Sequence, residues 1–190
     1  ADGQFGPDTL KASLALLPED RQAPAAPATS PYAGDYPLQR DMVAFYGPAG
    51  GPDCTAGVAV LPMPFVIAWD KSQKVTTFRC HRKLAVPFTS IFRRAVDHYG
   101  VDRFAALGLN IFGGCYNFRA MRGGTSLSIH AWGAAVDLDP EHNQLAQHRD
   151  TARFAAPEYE PFWQIVEDHG MVSLGRARDY DWMHFQAARL

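Results

Sequence analysis

An α+β fold with a central, mainly antiparallel sheet and flanking helices is what this 190-residue sequence predicts. Three observations carry the prediction. β-rich runs and amphipathic helical runs both occur, but they do not alternate in the regular strand–helix–strand order of a parallel sheet. The composition, 47% hydrophobic and 20% charged, is that of an ordinary globular chain. The length suffices for one well-buried domain plus a short appendage.

The elements follow in order. Over residues 1–20, Gly3 and Gly6 punctuate, Pro7 suits a first helical turn, and Leu10, Leu14 and Leu17 recur at helical spacing. One such helix cannot bury its apolar face alone. Residues 21–37 are rich in Pro and Ala and read as an extended linker, so the compact domain is expected over 38–190, beginning near Leu38. Phe65 to Trp69 and Val75 to Cys80 are β-rich runs, and the Asp70–Lys74 stretch between them signals a hairpin. Phe88, Ile91, Phe92, Ala95, Val96 and Tyr99 follow helical spacing, with Pro87 at the start and Gly100 at the stop. Leu107 to Phe112 reads as a buried strand entering Gly113-Gly114, and Val136 to Asp139 as another. Tyr159, Phe162, Trp163 and Val166 mark a second helix, ended by Gly170. Met171 to Leu174 and Trp182 to Gln186 are the last expected strands. No internal repeat is visible.

Several function classes fall away. A net charge of -2 gives no reason to expect a nucleic-acid partner or an anionic membrane surface. No apolar run reaches the roughly 18 residues that a spanning helix needs. The basic, apolar, small-residue order of a secretion signal is missing from residues 1–20, so export would depend on a removed signal or on a lysis system that needs none. Cys54, Cys80 and Cys115 have no C-x-x-C spacing, which argues against a structural zinc cluster. One disulfide with a spare thiol and three reduced thiols are both compatible with the count, and the chain is expected to act as a monomer.

The chemistry concentrates in two segments. Residues 128–137 read Ser-Ile-His-Ala-Trp-Gly-Ala-Ala-Val-Asp, and near the end comes Asp181-Trp-Met-His184-Phe. Neutral imidazole and carboxylate are good zinc ligands, and a catalytic zinc site keeps one position for water. Asp137 sits in an apolar run, where a carboxylate is costly unless something positive pairs with it. That partner is either an arginine or a metal shared with His130. On one straight strand, His130 and Asp137 would face opposite ways. The Gly133-Ala134-Ala135 run lets the chain bend so that both converge, with His184 as a distant third ligand. Asp181 is the candidate general base if it sits at the loop end of its strand, and Asp179 is its competitor. The other five histidines, His81, His98, His142, His148 and His169, read as solvated or core residues.

The two segments resemble the zinc D-alanyl-D-alanine peptidase family, the VanX/VanY and phage-endolysin group that shares its fold with hedgehog. The signature Ser-x-His-x-x-Gly-x-Ala-x-Asp is met at Ser128, His130, Gly133, Ala135 and Asp137. A second signature, an acid three residues before a His-Phe pair, is met at Asp181, His184 and Phe185. The upstream Phe112-Gly-Gly-Cys-Tyr-Asn-Phe-Arg119 is similar to the carboxypeptidase and endolysin branch, so the likeness runs from about Cys80 to the C-terminus. The resemblance implies a hedgehog/DD-peptidase-like fold, a Zn2+ cofactor held by His130, Asp137 and His184, and Asp181 as base. It implies Arg119 as the arginine that contacts substrate and stabilises the oxyanion, a role for which a planar fork of donors suits it. A structural ion pair is the other reading of Arg119, and Arg122 is positioned in sequence to substitute for it. Ser128 can orient substrate or cap a turn. Cys115 has no assigned base and reads as a packed thiol. Separately, Asp2-Gly3-x-Phe5-Gly6-Pro7-x-Thr9 resembles the closing segment of a small peptidoglycan-binding module. The implied function is hydrolysis of amide bonds in peptidoglycan stem peptides outside the cytoplasm, as a D-Ala-D-Ala carboxypeptidase or an L-Ala-D-Glu endopeptidase of endolysin type. The alternative is a non-catalytic zinc-binding or wall-binding module of the same fold.

Overall fold

Gly57–Ile67 forms one long strand, β1, because its odd positions are apolar: Ala59, Leu61, Phe65 and Ile67 turn inward while Val58, Val60, Pro62 and Pro64 turn out. The computed structural model that shows this describes residues 35–190. The expected N-terminal helix and most of the linker lie outside the described residues. β1 was expected only from Phe65, but it begins at Gly57 and runs through Pro62 and Pro64. Both prolines fall where the register with the next strand jumps, between Val60 and Phe65, so neither interrupts a regular ladder. That next strand, β2 (Asp70–Cys80), pairs antiparallel with β1. The hairpin is present, but its turn is Ala68-Trp69, since Ile67 pairs directly with Asp70. The Asp70–Lys74 stretch, read as the turn, is strand instead. Asp70 Oδ1 satisfies the hydroxyl of Ser72 at 2.6 Å there.

Among the described residues five α-helices accompany the sheet: α1 (Met42–Tyr46), α2 (Ala85–Tyr99), α3 (Val101–Ala106), α4 (Glu160–Asp168) and α5 (Leu174–Arg178). Helix α2 stops where expected, at Gly100, whose φ of +74° suits glycine. Helix α3 follows at once and was not anticipated. Leu107 and Leu109 are buried in the turn after it, so the apolar run from Leu107 reflects burial, and strand β3 begins only at Ile111 and ends at Gly114. β4 is Ala135–Leu138, β5 is Val172–Ser173 and β6 is His184–Gln186. Leu174 was expected to continue a strand. Ser173 instead caps α5, its hydroxyl accepting from Arg176 N. The expected final strand also shortens, because Trp182 and Met183 form a turn before β6.

The six strands lie in the order β2-β1-β3-β4-β6-β5, with β1/β3 parallel and every other neighbouring pair antiparallel. The mixed α+β class with a mainly antiparallel sheet is therefore as the sequence indicated. In the β4/β6 pair, Val136 lies opposite Phe185 and Asp137 opposite His184. Alternation then sends the first pair to the core and the second to the other face. Phe185 sits 6.1 Å from Phe88 and 6.0 Å from Phe162, ring centre to ring centre, joining α2 and α4 to the sheet. Phe65, Phe78 and Phe92 extend the same aromatic core. Tyr36 and Pro37, at the end of the expected linker, are already buried. Cys54, Cys80 and Cys115 are three buried free thiols.

His130 does not lie on a strand. It sits in a 3-10 turn, Ile129–Trp132, which Gly133 ends at φ +62° before β4 begins. A Cβ on Gly133 would stand 2.2 Å from the Cys54 carbonyl oxygen and 2.8 Å from His81 N. The bend is thus reserved for glycine by backbone conformation and by space together. Gly133→Ala is expected to lower stability by about 2 kcal/mol or more, from left-handed strain plus the overlap, measured by denaturant unfolding of metal-free protein. An unchanged midpoint would show that the bend tolerates a side chain.

Candidate metal centre

The turn at Ile129–Trp132 and the paired strands β4 and β6 bring His130, Asp137 and His184 to one point. Asp137 Oδ1 is 3.2 Å from His130 Nε2 and 3.0 Å from His184 Nδ1, and the two nitrogens are 3.2 Å apart. Ligands about 2.0–2.1 Å from a tetrahedral zinc stand about 3.3 Å from one another, so this triangle has the edge length that zinc requires. The ring of His130 is oriented by a hydrogen bond from Nδ1 to the Cys115 carbonyl at 2.6 Å. A carbonyl only accepts, so Nδ1 carries the hydrogen and Nε2 presents its lone pair to the triangle. Asn117 N donates to the His130 carbonyl at 3.0 Å, so the loop after β3 clamps the ligand turn twice.

Electrostatics agree with a site built for a cation. Burial opposes the charge on Asp137, but His130 and His184 outweigh it and hold the carboxyl well below the usual carboxylate range. Burial likewise opposes a charged His184, and the hydrogen bond and charge of Asp137 raise it above an ordinary histidine. A metal entering the triangle displaces the proton held there, so its affinity rises with pH.

Asp181 stands where the sequence argument wanted it, in the turn before β6, at φ +54°. Its N–H donates to the Leu145 carbonyl and its carbonyl accepts from His184 N. Its Oδ1 is buried with no hydrogen-bond partner among the described residues, an open acceptor that a bound water or substrate amide would satisfy. A non-glycine residue in this region stores strain of the kind found at functional sites. Burial pushes its carboxyl up to about 6, with Asp137 adding to the shift and His184, His130 and Arg122 opposing it. Asp179 is occupied elsewhere: its Oδ1 accepts from Arg149 N at 2.8 Å and Trp182 Nε1 at 3.2 Å. Of the two acids, Asp181 is the one with an open acceptor facing the cleft.

The triangle opens into a cleft of about 260 Å³ lined by Arg119, Arg122, Ser128 and Asp181, and by residues the sequence reading missed, among them Arg178 and Tyr180. Arg119 makes no ion pair among the described residues; its Nη1 donates to the neighbouring Ala120 carbonyl. Arg122 is exposed and its charge reaches Asp181. Ser128 Oγ accepts from His130 N at 3.4 Å, so it caps the ligand turn. Cys115 is a packed thiol whose pKa burial raises well above normal. Of the remaining histidines, His81 and His169 are buried and hydrogen-bonded, to Tyr46 O and to Ile165 O with Ser90 Oγ respectively. The missed residue with the closest contact is Gln186, whose Oε1 lies 3.0 Å from His184 Nε2. Its signal was available: two residues past a ligand, on the same strand face, a polar residue needs a partner.

A testable consequence concerns Asp181 in the metal-free protein. Its folded pKa, about 6, lies above the ordinary 3.8, so the stability it contributes is present below about pH 4 and is lost as pH rises through 6. At about pH 8 the ionised carboxylate costs the fold on the order of 3 kcal/mol. Metal-free Asp181→Asn should therefore unfold at a higher temperature than wild type at about pH 8, with the gap closing near pH 4. Equal gaps at both pH values would contradict the burial of this charge.

No curated protein and no solved structure matches the chain. Residues 122–187 match the family model described as D-alanyl-D-alanine carboxypeptidase, a span that takes in Arg122, Ser128, all three residues of the triangle and Asp181, but not Arg119. That match lies across both signature motifs and the geometry they assemble, so this part of the chain is similar to the D-alanyl-D-alanine carboxypeptidase family.

Proposed function

We propose that this protein is a zinc-dependent peptidase that hydrolyses amide bonds in peptidoglycan stem peptides. The observation that carries the reading is the buried, unpartnered Asp181 Oδ1 beside a His/Asp/His triangle of zinc dimensions. His130, Asp137 and His184 would hold the zinc, which would supply a water acidified to a pKa of about 7 and a Lewis acid for the scissile carbonyl. Asp181 then takes a proton from the attacking water and passes it to the departing amine. Its raised pKa suits both halves of that transfer. Arg119 and Arg122 donate from the cleft wall to the oxygen on which negative charge develops, or to a substrate carboxylate. Ser128 holds the His130 turn through its acceptor lone pair and keeps a hydroxyl proton to donate into the cleft. The hedgehog/DD-peptidase-like fold belongs to this reading, as does action at the wall, outside the cytoplasm or as a phage lysin delivered there.

A non-catalytic module of the same fold has no use for a buried acid with an open acceptor, and the retained Asp181 favours the enzyme. Chelation should abolish cleavage of purified muropeptides and zinc should restore it; cleavage indifferent to both would sink the proposal. Asp181→Ala should keep zinc yet lose turnover by about 100-fold or more. Loss of zinc in that variant would make Asp181 a ligand. Mass spectrometry of the digest identifies the bond, separating release of terminal D-alanine from cleavage between L-alanine and D-glutamate. Intact muropeptides with measurable wall binding would instead support the module.

A further inference from the structure

Gln186 is buried at 1% exposure, on the same face of β6 as His184. Its Nε2 donates to the Ala188 carbonyl at 3.0 Å. A carbonyl only accepts, so this contact fixes which end of the amide points where: nitrogen to Ala188, oxygen to His184. Oε1 then faces His184 Nε2 at 3.0 Å, and an amide oxygen also only accepts. Nε2 must therefore carry the hydrogen. A neutral imidazole has one N–H, which leaves Nδ1, the atom facing Asp137 and His130, with its lone pair bare. We infer that Gln186 is a positioning residue that selects the Nδ1-ligating tautomer of His184, with the Ala188 carbonyl orienting Gln186 in turn.

The lock has a further support. Ala187 N donates to Ala134 O at 2.9 Å on one side of Ala188. On the other, Arg189 N donates to Pro37 O and Gln39 N donates to Arg189 O. Arg189 Nε also donates to Tyr36 O at 2.8 Å. Residues 36–39 thus hold the carbonyl that holds the glutamine that holds the ligand. The two histidines end up opposite in kind, His130 offering Nε2 and His184 offering Nδ1, each set by an acceptor behind it.

The inference rests on the zinc part of the proposed function and not on its substrate. Its test is the zinc affinity of the full chain, read by competition with a chromophoric chelator, for wild type, Q186M and Q186E. Histidine-labelled 15N NMR of the zinc-loaded proteins accompanies it. Q186M, matched in size but unable to accept, should bind zinc about 10–100-fold more weakly. Q186E keeps an acceptor toward His184 but loses the donor to the Ala188 carbonyl, so it should bind zinc more weakly than wild type yet at least about threefold more tightly than Q186M. The spectrum should show one imidazole bound through Nδ1 with Nε2–H retained, in wild type and Q186E alike. Wild-type affinity in Q186M, or an equal loss in both variants, would overturn the lock; should Q186M fail to fold, the Q186E affinity and spectrum decide it. Wild type that binds zinc but cleaves nothing would defeat the peptidase reading and leave the lock standing, whereas wild type that binds no zinc would defeat both.

Discussion

Asp137 places a carboxylate inside a sheet, against two imidazole nitrogens 3.0 and 3.2 Å away. A buried charge left to itself costs several kcal/mol, and burial of neighbouring lone pairs adds to the cost. His130 is locked with its lone pair toward the same point by the Cys115 carbonyl. The arrangement is favourable only with a proton or a cation at its centre. Much of the local structure is explained by the need to hold those groups together against their preference for water.

The means are spread over the chain. β4 and β6 set Asp137 opposite His184, and the same alternation drives Val136 and Phe185 into the core, so packing energy fixes the register on which the site depends. Phe185 meets rings from α2 and α4, tying the placement of His184 to the hydrophobic core. Gly133 turns the chain between two ligands in a space that the Cys54 carbonyl and His81 backbone leave to a hydrogen atom alone. The loop after β3 supplies Cys115 and Asn117 to the His130 turn and Arg119 to the cleft. Stability and site are therefore built from the same contacts, while Asp181, in a left-handed turn with an open acceptor, stands apart from them.

The sequence made some of this readable and hid the rest for physical reasons. The His/Asp/His cluster was legible because a carboxylate in Ala-Ala-Val-Asp-Leu demands a positive partner, and Gly133 announced the bend. Helix α2 was legible from its period and its Gly100 stop. β1 was half hidden, since Pro62 and Pro64 argue for a break that the register jump accommodates. Leu107 and Leu109 looked like strand because burial in a turn and burial in a sheet leave the same apolar signature. The different surroundings of Asp181 and Asp179 could not be read, because they depend on the remote Arg149, whose backbone N–H joins Trp182 in occupying Asp179. Gln186 was passed over for a similar reason: its meaning lies in a carbonyl two residues on and in a ligand two residues back.

The central claim is that His130, Asp137 and His184 form one zinc centre with Asp181 beside it but not bound to it. A crystal structure of zinc-loaded protein, with anomalous scattering recorded at the zinc edge, addresses this most directly. The account predicts one ion per chain, bonded to His130 Nε2, a carboxylate oxygen of Asp137 and His184 Nδ1, with its remaining position open to the cleft on the Asp181 side. An ion seated elsewhere, or one that takes Asp181 as a ligand, would contradict it.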